Sequence, residues 1–125
     1  MRLLFVCVGN TCRSQMAEAL ARHFGHDAAS AGTHPGMSVA TNSLTVLEEM
    51  GVSTSGLKPK SVDDIETEGW DMIISMGCGV ECPMLPIAED WGLEDPVGLP
   101  IDVYRSTRDT IIDNLQRLSA LTTDA

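Results

Sequence analysis

The chain has 125 residues, 43% hydrophobic and 21% charged, so it reads as one soluble globular domain spanning 1–125. Its net charge of −10 and pI near 4.4 work against nucleic acid and anionic lipid as partners. No export signal and no run of roughly 18 apolar residues is present, which gives the expectation of a cytoplasmic protein with no membrane association. In that compartment four cysteines point to catalysis, redox work or metal binding rather than a disulfide framework.

The first element is Leu3–Val8, a continuous apolar run of the kind found in buried parallel strands. Gly9-Asn10-Thr11 breaks it. Ser14 stands where a helix N-cap belongs, and Met16, Ala17, Leu20 and Phe24 follow at helical spacing up to Gly25. Asp27–Ala31 reads as a second strand. Ser38–Met50 is an amphipathic helix with Ala40, Leu44, Leu47 and Met50 on one face. A short helix is expected over Ser61–Glu68 and a strand over Met72–Met76. Pro83, Pro86, Pro96 and Pro100 mark a loop-rich stretch before a final helix over Ser106–Leu118, with Ile111, Ile112, Leu115 and Leu118 inward.

This order predicts an α/β fold: a three-layer, doubly wound parallel sheet with helices on both faces. Ligands of such sheets bind beyond the carboxyl ends of the strands. Two cysteine-bearing segments fall there, Cys7–Ser14 and Cys78–Cys82.

The first of these, Cys7-Val8-Gly9-Asn10-Thr11-Cys12-Arg13-Ser14, has the form C-x5-R-S between a strand and a helix. Successive backbone N–H groups from Val8 to Ser14 can form an anion nest, and the helix adds its N-terminal partial charge. Arg13 offers a planar fork for two oxygens of a tetrahedral oxyanion. The same positive potential favours a thiolate at Cys7, and Ser14 can donate a hydrogen bond to it. Cys12 is read as a packing residue.

The loop resembles that of the low-molecular-weight protein tyrosine phosphatases and the arsenate reductases that share their fold. The likeness continues through Gln15-Met16-Ala17-Glu18, Ser30-Ala31-Gly32-Thr33 and Glu94-Asp95-Pro96. It implies a four-stranded sheet, Cys7 as nucleophile, Arg13 as oxyanion ligand and Asp95 as general acid; read without it, Asp95 is an exposed loop acid. It also implies a potassium site around Asn10, Glu18 and Ser30, with Asp63 or Asp64. Structural hydrogen bonding is the preferred reading of those side chains. No other metal and no tightly bound cofactor are expected.

Met76-Gly77-Cys78-Gly79-Val80-Glu81-Cys82-Pro83 separates the two activities of this fold. It resembles the redox segment of thioredoxin-coupled arsenate reductases. The resemblance implies that Cys78 attacks Cys7 to release arsenite and that Cys82 then resolves Cys78, with thioredoxin or a related thiol as donor. Only three residues separate the pair, fewer than in that family, so Cys82 as the direct resolver stays open. Two buried packing cysteines, or half a zinc site, are the other readings; the second lacks a C-x2-C pair or a neighbouring His. Val97 follows Asp95-Pro96 where a phosphotyrosine site usually presents an aromatic wall. The expectation is a monomeric arsenate reductase taking arsenate, with phosphate or sulfate as analogues. The alternatives are a low-molecular-weight tyrosine phosphatase and a non-catalytic oxyanion or redox sensor.

Overall fold

The computed structural model describes residues 1–66, 68–77 and 87–123, with backbone alone over 121–123. Cys78 and Cys82 lie outside the described residues, and so do the readings that rest on them.

Strands β1 (Arg2–Cys7), β2 (Asp27–Gly32), β3 (Met72–Ser75) and β4 (Glu89–Asp90) form one sheet in the order β2-β1-β3-β4. Every pairing is parallel, and the registers Cys7↔Gly32 and Val6↔Ser75 bring the carboxyl ends of the first three strands to one edge. β1 holds the centre because Leu3 to Cys7 are all buried, as a strand covered on both faces requires. β4 has two residues, too few for any periodicity to announce.

Alternation along the strands splits the interior. Leu3, Phe5 and Cys7 from β1 and Ile74 from β3 join α1 (Arg13–His23), α2 (Thr41–Glu48) and α3 (Ile101–Thr123) in the larger core. Leu4, Val6 and Ile73 face the other way, beneath Val62, Ile65 and Trp70. The second face therefore carries a 3-10 turn, Val62–Asp64, where a helix over Ser61–Glu68 was expected. Ser61 accepts a hydrogen bond from the Asp63 amide, an arrangement that closes a tight turn rather than starting a longer helix.

Three helix expectations need correction. Ser14 does not cap α1: the cap position is Cys12, which makes no side-chain cap bond, and the Ser14 hydroxyl is spent on the cysteine loop instead. Phe24 falls beyond the end of α1 and is exposed, while Met16, Ala17 and Leu20 are fully buried. α2 is shorter than expected and buries Ser43, Val46 and Leu47; Met50 stays at the surface because the helix ends at Glu48 and Met50 lies in the turn that Gly51, φ +71°, completes. α3 begins at Ile101, directly after Pro100, whose fixed φ suits a helix entry. Tyr104, Thr107, Ile111, Leu115 and Leu118 make its buried stripe, and Ile112 is only partly covered. Among the described residues no helix is long and apolar enough to cross a membrane.

Candidate active site

The loop leaving β1 folds over itself because its carbonyls are all engaged on one side. The oxygens of Cys7, Val8, Gly9 and Thr11 accept from the amides of Thr33, His34, Gly36 and Ala40, at 2.8–3.1 Å. The Asn10 oxygen accepts from Gln15 Nε2 at 2.9 Å. In trans peptides an outward carbonyl turns its amide edge the opposite way, which makes the inner surface of the loop a concave donor surface. Asn10 supports this curvature with φ +52°, the left-handed region that Asn tolerates better than most side chains. Gly32 permits the close approach of β2: a Cβ there would stand 2.5 Å from the Val8 carbonyl oxygen.

The cavity enclosed by this loop, about 200 Å³, is lined by Cys7, Val8, Gly9, Asn10, Thr11, Cys12, Arg13, Asp95 and Val97. It is the size of a small oxyanion and its first hydration, and the uncapped N-terminus of α1 starts at its wall.

At its floor, Cys7 Sγ takes two contacts. The Asn10 amide donates to it at 3.0 Å and the Ser14 hydroxyl lies at 2.8 Å. The proton on that hydroxyl can be assigned. Asn10 Nδ2, which can only donate, gives one hydrogen to Ser14 Oγ at 2.7 Å and the other to Ser30 Oγ at 2.9 Å. Ser14 then has its own hydrogen to offer the sulfur. Ser30 likewise accepts from Asn10 and donates to Glu18 Oε1 at 2.8 Å. Two donors thus converge on one sulfur, the arrangement that favours negative charge on an acceptor.

Arg13 is buried and aligned across the cavity. Its Nη1 donates to the Leu93 carbonyl at 3.0 Å and reaches the Met76 carbonyl at 3.4 Å. Its Nη2 stands 3.8 Å from Asp95 Oδ2. The guanidinium therefore ties the ends of β1 and β3 to the loop after β4. Asp95 is half exposed at the rim, its Oδ1 accepting from the Val97 amide at 3.1 Å. Cys12 is turned into the core, its sulfur 3.7 Å from the Tyr104 hydroxyl. Burial, followed by the hydrogen bond to Cys12 and the nearby Asp95 charge, pushes the Tyr104 phenol up to about 12.

Among the described residues, then, the structure brings Cys7, Arg13 and Asp95 to one cavity, with Ser14 buried behind the Cys7 sulfur. Asn10, Glu18 and Ser30 are joined in a single network behind it. His34 is exposed and bonds the neighbouring Thr33 hydroxyl, and Asp63 and Asp64 sit in the surface 3-10 turn. Sequence reasoning missed two participants. Gln15 is fully buried and donates to Asn10 O, Asn10 Oδ1 and the Lys58 carbonyl. Lys60 gives its amide to Asn10 Oδ1 at 2.8 Å and its ammonium to Glu18 Oε1 at 3.3 Å and the Lys58 carbonyl at 3.0 Å. The signal for Gln15 was a polar residue inside the apolar stretch of α1. Lys60 lies fifty residues from Asn10 and carries no local signal. Among the described residues no group of three or more His, Cys, Asp or Glu is placed to hold a metal ion.

A family model described as low molecular weight phosphotyrosine protein phosphatase matches residues 2–124. The chain is 35% identical to a protein named glutaredoxin arsenate reductase from Synechocystis sp., over 95% of this chain and 96% of that protein. A solved arsenate reductase in its phosphate-binding state superposes with TM-score 0.87 at 34% identity, covering 95% of this chain and 96% of the other. The YwlE arginine phosphatase from Geobacillus stearothermophilus superposes with TM-score 0.83 at 30% identity, covering 98% and 94%.

Proposed function

The chain belongs to the low molecular weight phosphotyrosine protein phosphatase family, and from that premise we propose that it is an enzyme reducing arsenate to arsenite through Cys7. The observation that carries the reading is the Cys7 sulfur held between the Asn10 amide and the Ser14 hydroxyl on the floor of a cavity roofed by Arg13 and Asp95. The relatives named arsenate reductase at 34–35% identity support the oxyanion and the outcome.

In the first step the Cys7 thiolate attacks arsenic, a sulfur–arsenic bond forms, and an arsenic–hydroxyl bond breaks as that hydroxyl takes a proton from Asp95 and leaves as water. Arg13 and the loop amides hold the remaining oxygens as charge builds on them. In the second step a thiol attacks the Cys7 sulfur. A disulfide forms, the sulfur–arsenic bond breaks, and its electron pair returns to arsenic as arsenite departs. Arsenic gains two electrons and two thiols lose them.

Cys78 is the proposed attacking thiol and Cys82 the resolving one. Both follow Met76, whose carbonyl touches Arg13, within six residues of sequence. The Cys78–Cys82 disulfide is then reduced by a thiol donor. Thioredoxin is the donor proposed from sequence; the name of the Synechocystis relative makes glutaredoxin the direct competitor.

The phosphatase reading shares the first step and replaces the second by water. The described cavity lining contains no aromatic side chain to receive a phosphotyrosine ring. Arsenite formation from arsenate, measured with thioredoxin and with glutaredoxin systems beside aryl-phosphate hydrolysis, separates the two. The proposal expects arsenite that disappears in Cys7→Ser and Cys78→Ser. Aryl-phosphate turnover indifferent to Cys78, with no arsenite, would make the chain a phosphatase.

A further inference from the structure

The hydroxyl chain behind Cys7 has a direction, and its far end decides that direction. Glu18 is 1% exposed and ends the series Glu18–Ser30–Asn10–Ser14–Cys7. As a carboxylate it can only accept, so the Ser30 hydrogen points to it and the Ser30 oxygen is open to Asn10 Nδ2. A protonated Glu18 would donate to Ser30 instead, leaving the Ser30 hydrogen without that acceptor and loosening the Asn10 amide that orients Ser14. Burying a carboxylate is costly unless cations or hydrogen-bond donors stand beside it.

The charged groups that face Glu18 are Lys60 from the segment before the 3-10 turn and Arg22 one turn along α1. Arg22 Nη1 approaches Oε2 at 3.1 Å, an ion pair without hydrogen-bond alignment, and its side chain is 49% exposed. Lys60 is 22% exposed and reaches Oε1, the oxygen that Ser30 also uses. It is bound into the same network twice more, by its amide to Asn10 Oδ1 and by its carbonyl to the Gly32 amide at 2.7 Å.

The three side chains expected around potassium do not fit that ion as arranged. Asn10 Oδ1 already accepts from Gln15 and Lys60, Ser30 Oγ accepts from Asn10, and both Glu18 oxygens face a cationic side chain.

Resting on the reading of Cys7 as nucleophile, we propose that Lys60 is a positioning residue for it. The Lys60 ammonium is a built-in cation that holds Glu18 Oε1 in place as the acceptor of Ser30 and thereby aims the Ser14 hydroxyl at Cys7. The chain accordingly works without an added monovalent cation at this place. Removing the ammonium lets the network relax, leaves the Ser14 hydroxyl less firmly aimed at the Cys7 sulfur, and opens a site that a small external cation can fill.

The test is the pH profile of Cys7 alkylation by iodoacetamide, followed on the Cys7 peptide by mass spectrometry. Tetramethylammonium chloride, too large to enter, serves as background salt. Lys60→Met should move the midpoint upward and slow alkylation at neutral pH by roughly three-fold or more, since the thiolate is the reacting species. Lys60→Arg, or ammonium or potassium chloride at matched ionic strength, should restore the rate in part, while wild type responds to neither salt. A wild-type profile in Lys60→Met would overturn the proposal. So would a loss that neither Lys60→Arg nor the salts repair, or a wild-type protein that potassium activates, a measurement needing no variant to fold. Wild-type Cys7 no more reactive at neutral pH than Cys12 would instead strike the nucleophile reading.

Discussion

Asn10→Ala tests the architecture of the loop at its most connected point. The Asn10 side chain makes four bonds: Nδ2 to Ser14 and Ser30, and Oδ1 from Gln15 and the Lys60 amide. The residue is fully buried, so water cannot replace them without opening the loop. At about 1 kcal/mol net for each hydrogen bond the loss is roughly 4 kcal/mol. Ala at φ +52° adds about 1 kcal/mol of backbone cost that Gly avoids. For a chain of this size roughly 4 kcal/mol is a fall in Tm of about 10–20 °C. Calorimetric melts of wild type, Asn10→Ala and Asn10→Gly should show both variants strongly destabilised, with Gly the milder. Phosphate titrations should show weaker binding in both, because the Asn10 amide no longer sits over Cys7. A loss under about 1 kcal/mol, or an Ala variant more stable than the Gly variant, would refute the reasoning.

Three other perturbations have defined outcomes. Gly32→Ala drives a Cβ against the Val8 carbonyl, a backbone atom that cannot swing aside, and should cost about 1–3 kcal/mol in denaturant melts together with weaker phosphate binding; unchanged binding would show that the loop yields there freely. Arg13→Lys keeps the charge and discards the fork that spans Leu93, Met76 and the cavity, so arsenate turnover should fall by about ten-fold or more. His26 is held neutral by burial and then by the N-terminal amine, 3.2 Å from its Nδ1, so its pKa lies below the usual 6.5. Below that pH the unfolded chain binds more protons than the folded one, and stability should drop as acid is added. His26→Gln should flatten that part of the stability–pH curve, and an identical curve would show that the contact is immaterial.

The parts of this protein that were legible in its sequence are those whose causes are local. Leu3 to Cys7 reads as a buried strand and is one, and the spacing of C-x5-R-S between it and a helix brings an arginine and a thiol to one cavity. Ser14 carries a bond to the Cys7 sulfur that its position allowed and lacks the cap that its position suggested. A serine entering a helix serves a cap or a loop ligand with the same oxygen, and only the position of Asn10 decides. The start of α3 was hidden by Pro96 and Pro100, which read as loop and left Ile101 to Arg105 outside the expected helix. The expected face of α2 holds at Ala40 and Leu47 and fails at Met50, which is exposed, while tertiary packing buries Ser43 and Val46 beside Leu47. Lys60 and Glu18 could not be paired from sequence, since their meeting depends on the register that sets Gly32 beside Ser61.

The central claim is that Cys7 passes two electrons to the oxyanion it binds, using a second thiol of the same chain. The most direct measurement is a single turnover: fully reduced protein, freed of external thiol, mixed with excess arsenate, with arsenite and remaining thiols counted together. The account predicts one arsenite and two thiols lost for each protein molecule, and neither change in Cys7→Ser. Thiols that stay intact with no arsenite formed, in a protein that still binds arsenate, would contradict it.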